Sequence, residues 1–175
     1  MKKSLLILCT AALLFTACET RDHREKLLQE ITQAEQKFLS KARNITLEES
    51  QRLMDLYLAF ANDFPKDSLT PEMLFRCATV AASSQQEIYA ITLYQRIYDE
   101  YPDHALRPIA LLEWALAYDN MGDVEHAKPL YEQFLVMFPD NLYATDAEHL
   151  LEMVEKTPEE WEFFMQQLDS LDQEK

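Results

Sequence analysis

Side chains able to do chemistry are few in this sequence and badly spaced for it. The histidines are His23, His104, His126 and His149, and the cysteines are Cys9, Cys18 and Cys77. Zinc sites draw Cys and His ligands from close pairs. No two of the histidines are four residues apart, and no Cys/His group has ligand spacing. Nucleophilic catalysis needs a hydroxyl or thiol beside a base on a strained turn, and Ser83-Ser84 reads as an ordinary turn. Carboxylate pairs such as Glu159-Glu160 are expected by chance among 31 acidic residues, and they suit a helix N-terminus electrostatically. A single glycine leaves no material for phosphate-cradling loops or dinucleotide fingerprints. A formal charge of −15 removes the basic footprint that nucleic acid requires. The sequence therefore predicts a binding protein with no catalytic set, no metal and no cofactor.

One cysteine does have a chemical context. "MKKSLLILCTAALLFTAC" opens with Lys2 and Lys3, followed by an apolar run of 13 residues from Leu5 to Ala17. That length is short for a bilayer span and fits the core of a secretory signal. Phe15-Thr16-Ala17-Cys18 then resembles a bacterial lipobox, with Phe15 departing from the usual leucine. The resemblance implies a signal peptide over 1–17 and cleavage before Cys18. The thiol would take a diacylglyceryl group and the new amine an acyl chain, leaving 18–21 as a lipidated terminus and short linker. Three chains on one residue exceed the two-signal threshold for stable anchoring, at about 0.8 kcal/mol per buried CH₂. Cys77 would remain alone, without a disulfide, as a small core residue on a helix. Loss of the two leader lysines takes the formal charge from −15 to −17, so only lipid would hold the chain at a membrane. Glu19, rather than Asp, follows the cysteine, and the expected location is the outer membrane, facing the periplasm.

The elements that must position any binding surface come from a repeat. "YLAFANDFPKD", "YQRIYDEYPDH" and "YEQFLVMFPDN" end in aromatic-proline pairs, and Pro65, Pro102 and Pro139 are spaced by 37 residues. Counting back from each proline, Leu53, Ala90 and Ala127 align, then Tyr57, Tyr94 and Tyr131. Phe60, Ile97 and Phe134 follow, then Phe64, Tyr101 and Phe138. Steps of four, three and four residues trace one face of a helix that the proline ends. A second helical stripe precedes each of the later two: Leu74, Cys77, Ala78 and Ala81, and Leu111, Trp114, Ala115 and Tyr118. Helix starts are read at Thr70-Pro71 and at capping boxes beginning at Thr46, Ser84, Thr145 and Thr157. Gly122-Asp123 supplies a stop and the next cap. Eight helices are expected after the signal, at 22–43, 47–63, 71–82, 85–100, 108–120, 124–137, 144–155 and 158–170, with an acidic tail over 171–175. Short connections make consecutive helices antiparallel neighbours, and stacked pairs make a solenoid.

These blocks resemble the tetratricopeptide repeat. Leu111, Trp114, Ala115, Tyr118, Gly122, Ala127, Tyr131 and Pro139 fit its pattern well. Leu74, Cys77, Ala78, Ala90, Tyr94 and Pro102 fit more loosely. The period exceeds the family's usual length by three residues, and the extended loops look like those of envelope lipoproteins of the barrel-assembly and Tol–Pal types. The resemblance implies an all-α, right-handed solenoid of antiparallel helix pairs over 22–170, in which the first helix of each pair lines a concave face. By alignment that face carries Glu72, Phe75, Thr79 and Ser83 from one repeat and Ile109, Leu112, Leu116 and Asn120 from the next, extended by Phe38 and Met153. It would accept a peptide or helix from a protein partner. Phe75 and Leu112 stand where tail-binding members carry a basic residue, so capture of a terminal carboxylate is disfavoured. The expected function is a lipid-anchored scaffold for protein–protein interaction, with a chaperone-like accessory of outer-membrane assembly or envelope maintenance as the alternative. The stripe Leu27, Ile31, Ala34 and Phe38 leaves self-association open alongside a capping role.

Overall fold

The alternation of apolar stripes with proline-closed turns yields helices alone. The computed structural model describes residues 2–41, 45–157 and 159–165. Among the described residues there are eight helices and no strand. They are α1 (Lys2–Ser40), α2 (Leu47–Asp63), α3 (Thr70–Ser83), α4 (Glu87–Glu100), α5 (Arg107–Asn120), α6 (Val124–Met137), α7 (Ala144–Glu155) and α8 (159–165). The fold is all-α and of the tetratricopeptide-like helix-pair class. Helix α1 runs through 18–21, where a linker is expected, and the side chains of residues 1–19, Cys18 included, lie outside the described part, as do residues 166–175. Among the described residues no helix is long and apolar enough to cross a membrane.

The chain forms two units, Met1–Gln86 and Glu87–Lys175. In the first, α2 packs against both α1 and α3. Its core is Leu27 and Ile31 of α1, Leu53, Met54, Tyr57 and Phe60 of α2, and Leu74, Cys77, Ala78 and Ala81 of α3, all buried. Leu27 and Ile31 are thus buried as a capping face requires, while Ala34 and Phe38 of the same stripe are half-buried. In the second unit, α4 through α7 pack in sequential pairs. Its core gathers Tyr98, Leu111, Leu112, Ala115, Ala127, Tyr131, Phe134 and Ala147. The alanines matter here, because a methyl-sized side chain lets helix backbones approach closely and leaves no void.

Each aromatic-proline pair closes a turn with the same hydrogen bonds. The amides of Phe64, Tyr101 and Phe138 donate to the carbonyls of Phe60, Ile97 and Phe134 at 2.8–3.1 Å. The amides of Asp67, His104 and Asn141 then donate to the carbonyls of those same aromatic residues at 3.0–3.1 Å. Finally a side chain turns back on its own backbone. Asp67 Oδ1 accepts from the Leu69 amide at 2.9 Å, His104 Nδ1 from Leu106 at 3.2 Å and Asn141 Oδ1 from Tyr143 at 3.0 Å. This is an Asx-type turn repeated at 37-residue intervals, with a histidine nitrogen as acceptor in the second copy.

That turn explains where two expected caps fail. Leu69, not Thr70, precedes α3, and Pro71 falls inside its first turn. The buried Thr70 hydroxyl instead donates to the Phe64 carbonyl at 2.5 Å. Tyr143, not Thr145, precedes α7 for the same reason. The boxes at Thr46 and Thr157 do form, each with its reciprocal bond to Glu49 or Glu160.

Ser84 is no N-cap either; it ends α3. Gln85 follows in the left-handed region at φ 61°, as Gly122 does at φ 74° after α5. The bonds match: Gln85 to Ala82 and Gln86 to Ala81 at one site, Gly122 to Asp119 and Asp123 to Tyr118 at the other. Both are Schellman stops, and the first is built on a residue with a side chain. A left-handed non-glycine residue costs about 1–2 kcal/mol. Gln85→Gly should therefore raise unfolding free energy by about 0.5–1 kcal/mol, net of the added chain entropy. Gly122→Ala should lower it by about 1 kcal/mol through φ alone, since a Cβ there meets nothing within 4 Å. Urea denaturation followed by circular dichroism measures both, and equal effects of the same sign would contradict the assignment.

Candidate functional site

In the first unit, α1 and α3 flank α2 and leave a groove between them. It has a volume of about 390 Å³ and a mainly apolar wall: Phe38 and Leu39 of α1, Leu53 of α2, and Phe75, Thr79 and Val80 of α3. Three residues that the sequence assigns to a binding face, Phe38, Phe75 and Thr79, meet here. Thr79 is exposed at the rim, its hydroxyl donating to the Phe75 carbonyl at 3.0 Å. Leu39 is 73% exposed, an apolar side chain held open beside a concave apolar wall.

One carboxylate oxygen joins the three helices at this groove. Glu35 Oε1 of α1 accepts from the Tyr57 hydroxyl of α2 at 2.8 Å and from Arg76 Nη1 of α3 at 2.6 Å. Arg76 Nη2 donates to Glu72 Oε1 at 2.6 Å, one helical turn back. Burial, and then the bond to Glu35, push the Tyr57 phenol well above its ordinary range. Arg76 is held more firmly protonated, chiefly by its bond to Glu72. The groove is therefore apolar along its length, with one braced arginine between two acids. A second cleft between α1 and α2, of about 190 Å³, is charged instead, with Glu30, Lys37, Glu49 and Arg52 on its walls. Lys41 and the Thr46 amide hold Glu49 there at about 2.

The second unit corrects the sequence reading. Leu112 is only 3% exposed and belongs to the core. Ile109 and Leu116 are half-buried against that core. Of the four residues assigned from this repeat, only Asn120 is exposed. The period of 3.6 puts Leu112 on the face of Ile109 and Leu116, but Leu112 is buried in one cluster with Ala115, Ala127 and Ala147. Leu112 is a core residue rather than a partner-binding one, and a charge placed there should destabilise the unit. Met153 is half-buried. Ser83 is exposed, with its hydroxyl turned back on the Val80 carbonyl at 2.9 Å.

Sequence reasoning missed Glu35, Tyr57 as a hydrogen-bond donor, and Arg76. The Glu72–Arg76 pair was readable from its i, i+4 spacing on a helix. Glu35 was not, because its partners lie 22 and 41 residues away and depend on how α1 docks. Among the described residues, no cluster of His, Cys, Asp or Glu has the makings of a metal site. Cys77 is buried, and that burial pushes its thiol up to about 12, far from a reactive thiolate.

Residues 109–141 match the family model of the tetratricopeptide repeat. That match supports the family. It covers α5, α6 and the turn after them, the block that fits the repeat pattern best. The first unit carries the same Schellman stop 37 residues earlier, at Gln85, and the same turn bonds 74 residues earlier, at Phe64 and Asp67. Such repeats are typically modules of protein–protein interaction rather than enzymes. No match is found among curated proteins.

Glu113 of α5 occupies the repeat position of Arg76 and is half-buried, and burial raises its carboxyl pKa. A carboxyl raised in the folded state binds its proton more tightly there than when unfolded. Stability then falls as pH climbs from about 4.3 through the folded value. Glu113→Gln should therefore melt higher than the parent at pH 7, with the difference closing below about pH 4. Thermal melts across that range check it, and a lower melting temperature at pH 7 would contradict it.

Proposed function

We propose that this chain is a lipid-anchored scaffold of the bacterial cell envelope, tethered through Cys18 at the outer membrane and holding a protein partner in the groove of Phe38, Phe75 and Thr79. Support for the tether is chemical. A basic start, a 13-residue apolar run and small residues ahead of Cys18 form the substrate pattern of lipoprotein processing. Support for binding comes from one observation: Phe38, Phe75 and Thr79 from two helices line one apolar groove, with Leu39 exposed at its edge. A preformed apolar concavity with a few fixed polar groups is what an amphipathic helix or extended apolar segment needs. Catalysis is not part of the proposal.

Two variants separate the halves of the proposal. Cys18→Ser should release the chain from membranes or leave it unprocessed, and unchanged palmitate labelling and membrane fractionation would sink the tether. Thr79→Trp fills the groove from its exposed rim without entering the core. It should leave the circular dichroism spectrum intact and weaken co-purification of the partner by roughly tenfold or more, the scale of a central interface contact. Full retention of the partner by folded Thr79→Trp would move the binding site elsewhere.

A further inference from the structure

The polar end of the groove is built asymmetrically. Glu35 is already engaged: its Oε1 accepts from both Tyr57 and Arg76, and its side chain is 22% exposed. Glu72 stands one helical turn before Arg76, beside the lining residues rather than among them; its side chain is 43% exposed and its Oε1 accepts from Arg76 Nη2 at 2.6 Å. Two carboxylates to one guanidinium leave this end of the groove one negative charge in excess. An anionic group of a partner reaching Arg76 would have to enter between Glu35 and Glu72, against like charge. A cation beside Glu72 meets the excess charge, an exposed carboxylate and a chain whose formal charge is −15.

We propose that Glu72 sets the charge preference of the groove, so that its occupant is a partner segment carrying a large apolar side chain next to a lysine or arginine. This rests on the groove reading above and adds to it the chemistry of the partner. The apolar side chain enters between Phe38 and Phe75, and the cation pairs with Glu72 at the rim, where both groups keep part of their hydration. Such a rim pair contributes selectivity and association rate more than affinity. Carboxylate-ended segments are rejected by the same group.

The test uses two fluorescein-labelled synthetic peptides with one shared Leu/Phe core, flanked by lysines in one and by glutamates in the other. Binding to the full chain in non-ionic detergent is read by fluorescence anisotropy. The lysine peptide should bind about tenfold or more tightly than the glutamate peptide. Glu72→Lys should abolish or reverse that preference, and Glu72→Gln should reduce it. Glu148→Lys, the same charge change on an exposed position of α7, should leave it nearly intact. Thr79→Trp should block both peptides. Equal loss in Glu72→Lys and Glu148→Lys would assign the preference to the diffuse field of an acidic chain and overturn the role of Glu72. Equal binding of both peptides, each still blocked by Thr79→Trp, would overturn the charge preference while leaving the groove in place. Peptide binding insensitive to Thr79→Trp, or no binding by either peptide, would overturn the proposal together with the groove.

Discussion

The carboxylate of Asp67 is the joint on which the first unit depends. Its Oδ1 accepts from the Leu69 amide at 2.9 Å and so fixes the turn by which α2 hands the chain to α3. Its Oδ2 takes Arg24 Nε at 2.6 Å, which ties the same turn to α1. The hydrogen bond from Arg24 holds the Asp67 carboxyl below its ordinary range, so this joint is fully charged at neutral pH and weakens on acidification. Three helices are thereby aligned at one end by Asp67 and along the groove by Glu35, which bonds to α2 and α3 from α1. Between those ties the walls carrying Phe38 and Phe75 stand apart, and a groove remains instead of a closed core.

In the second unit the same turn stands in a more apolar setting. His104 and Asn141 close their turns as Asp67 does, but tyrosine, phenylalanine and alanine packing dominates around them. Tyr131 reaches Asp119 at 3.2 Å and Tyr98 is bonded by Gln133, polar ends satisfied at the margin of an otherwise apolar core. Leu112 is buried together with Ala115, Ala127 and Ala147 and is absent from the surface. One repeat pattern therefore yields an open face in one unit and a filled one in the other.

Much of the fold was legible in the sequence because it is written locally. The stripe from Leu53 to Phe64, its copies ending at Tyr101 and Phe138, the box at Thr46 and the stop at Gly122 all depend on residues within one or two turns of each other. Gln85 was misread for a local reason: Ser84 and Glu87 have capping-box spacing, while the left-handed stop they conceal lacks its usual glycine. The Asx turns were hidden because Asp67, His104 and Asn141 differ in chemistry while sharing one geometry. The candidate site was legible only in part. Phe75 and Thr79 follow from repeat alignment, whereas Glu35 and the burial of Leu112 follow from helix docking, which no spacing along one element encodes.

The central claim, that a partner occupies the groove of the first unit, is tested most directly by site-specific photocrosslinking. A photoreactive amino acid is placed at Thr79, exposed at the groove rim, and in a separate protein at Val136, which is 81% exposed on α6 of the second unit. Illumination of native envelopes should give a discrete higher-mass adduct from Thr79 and none from Val136. An adduct from Val136 with none from Thr79 would contradict the account and place the interaction on the second unit.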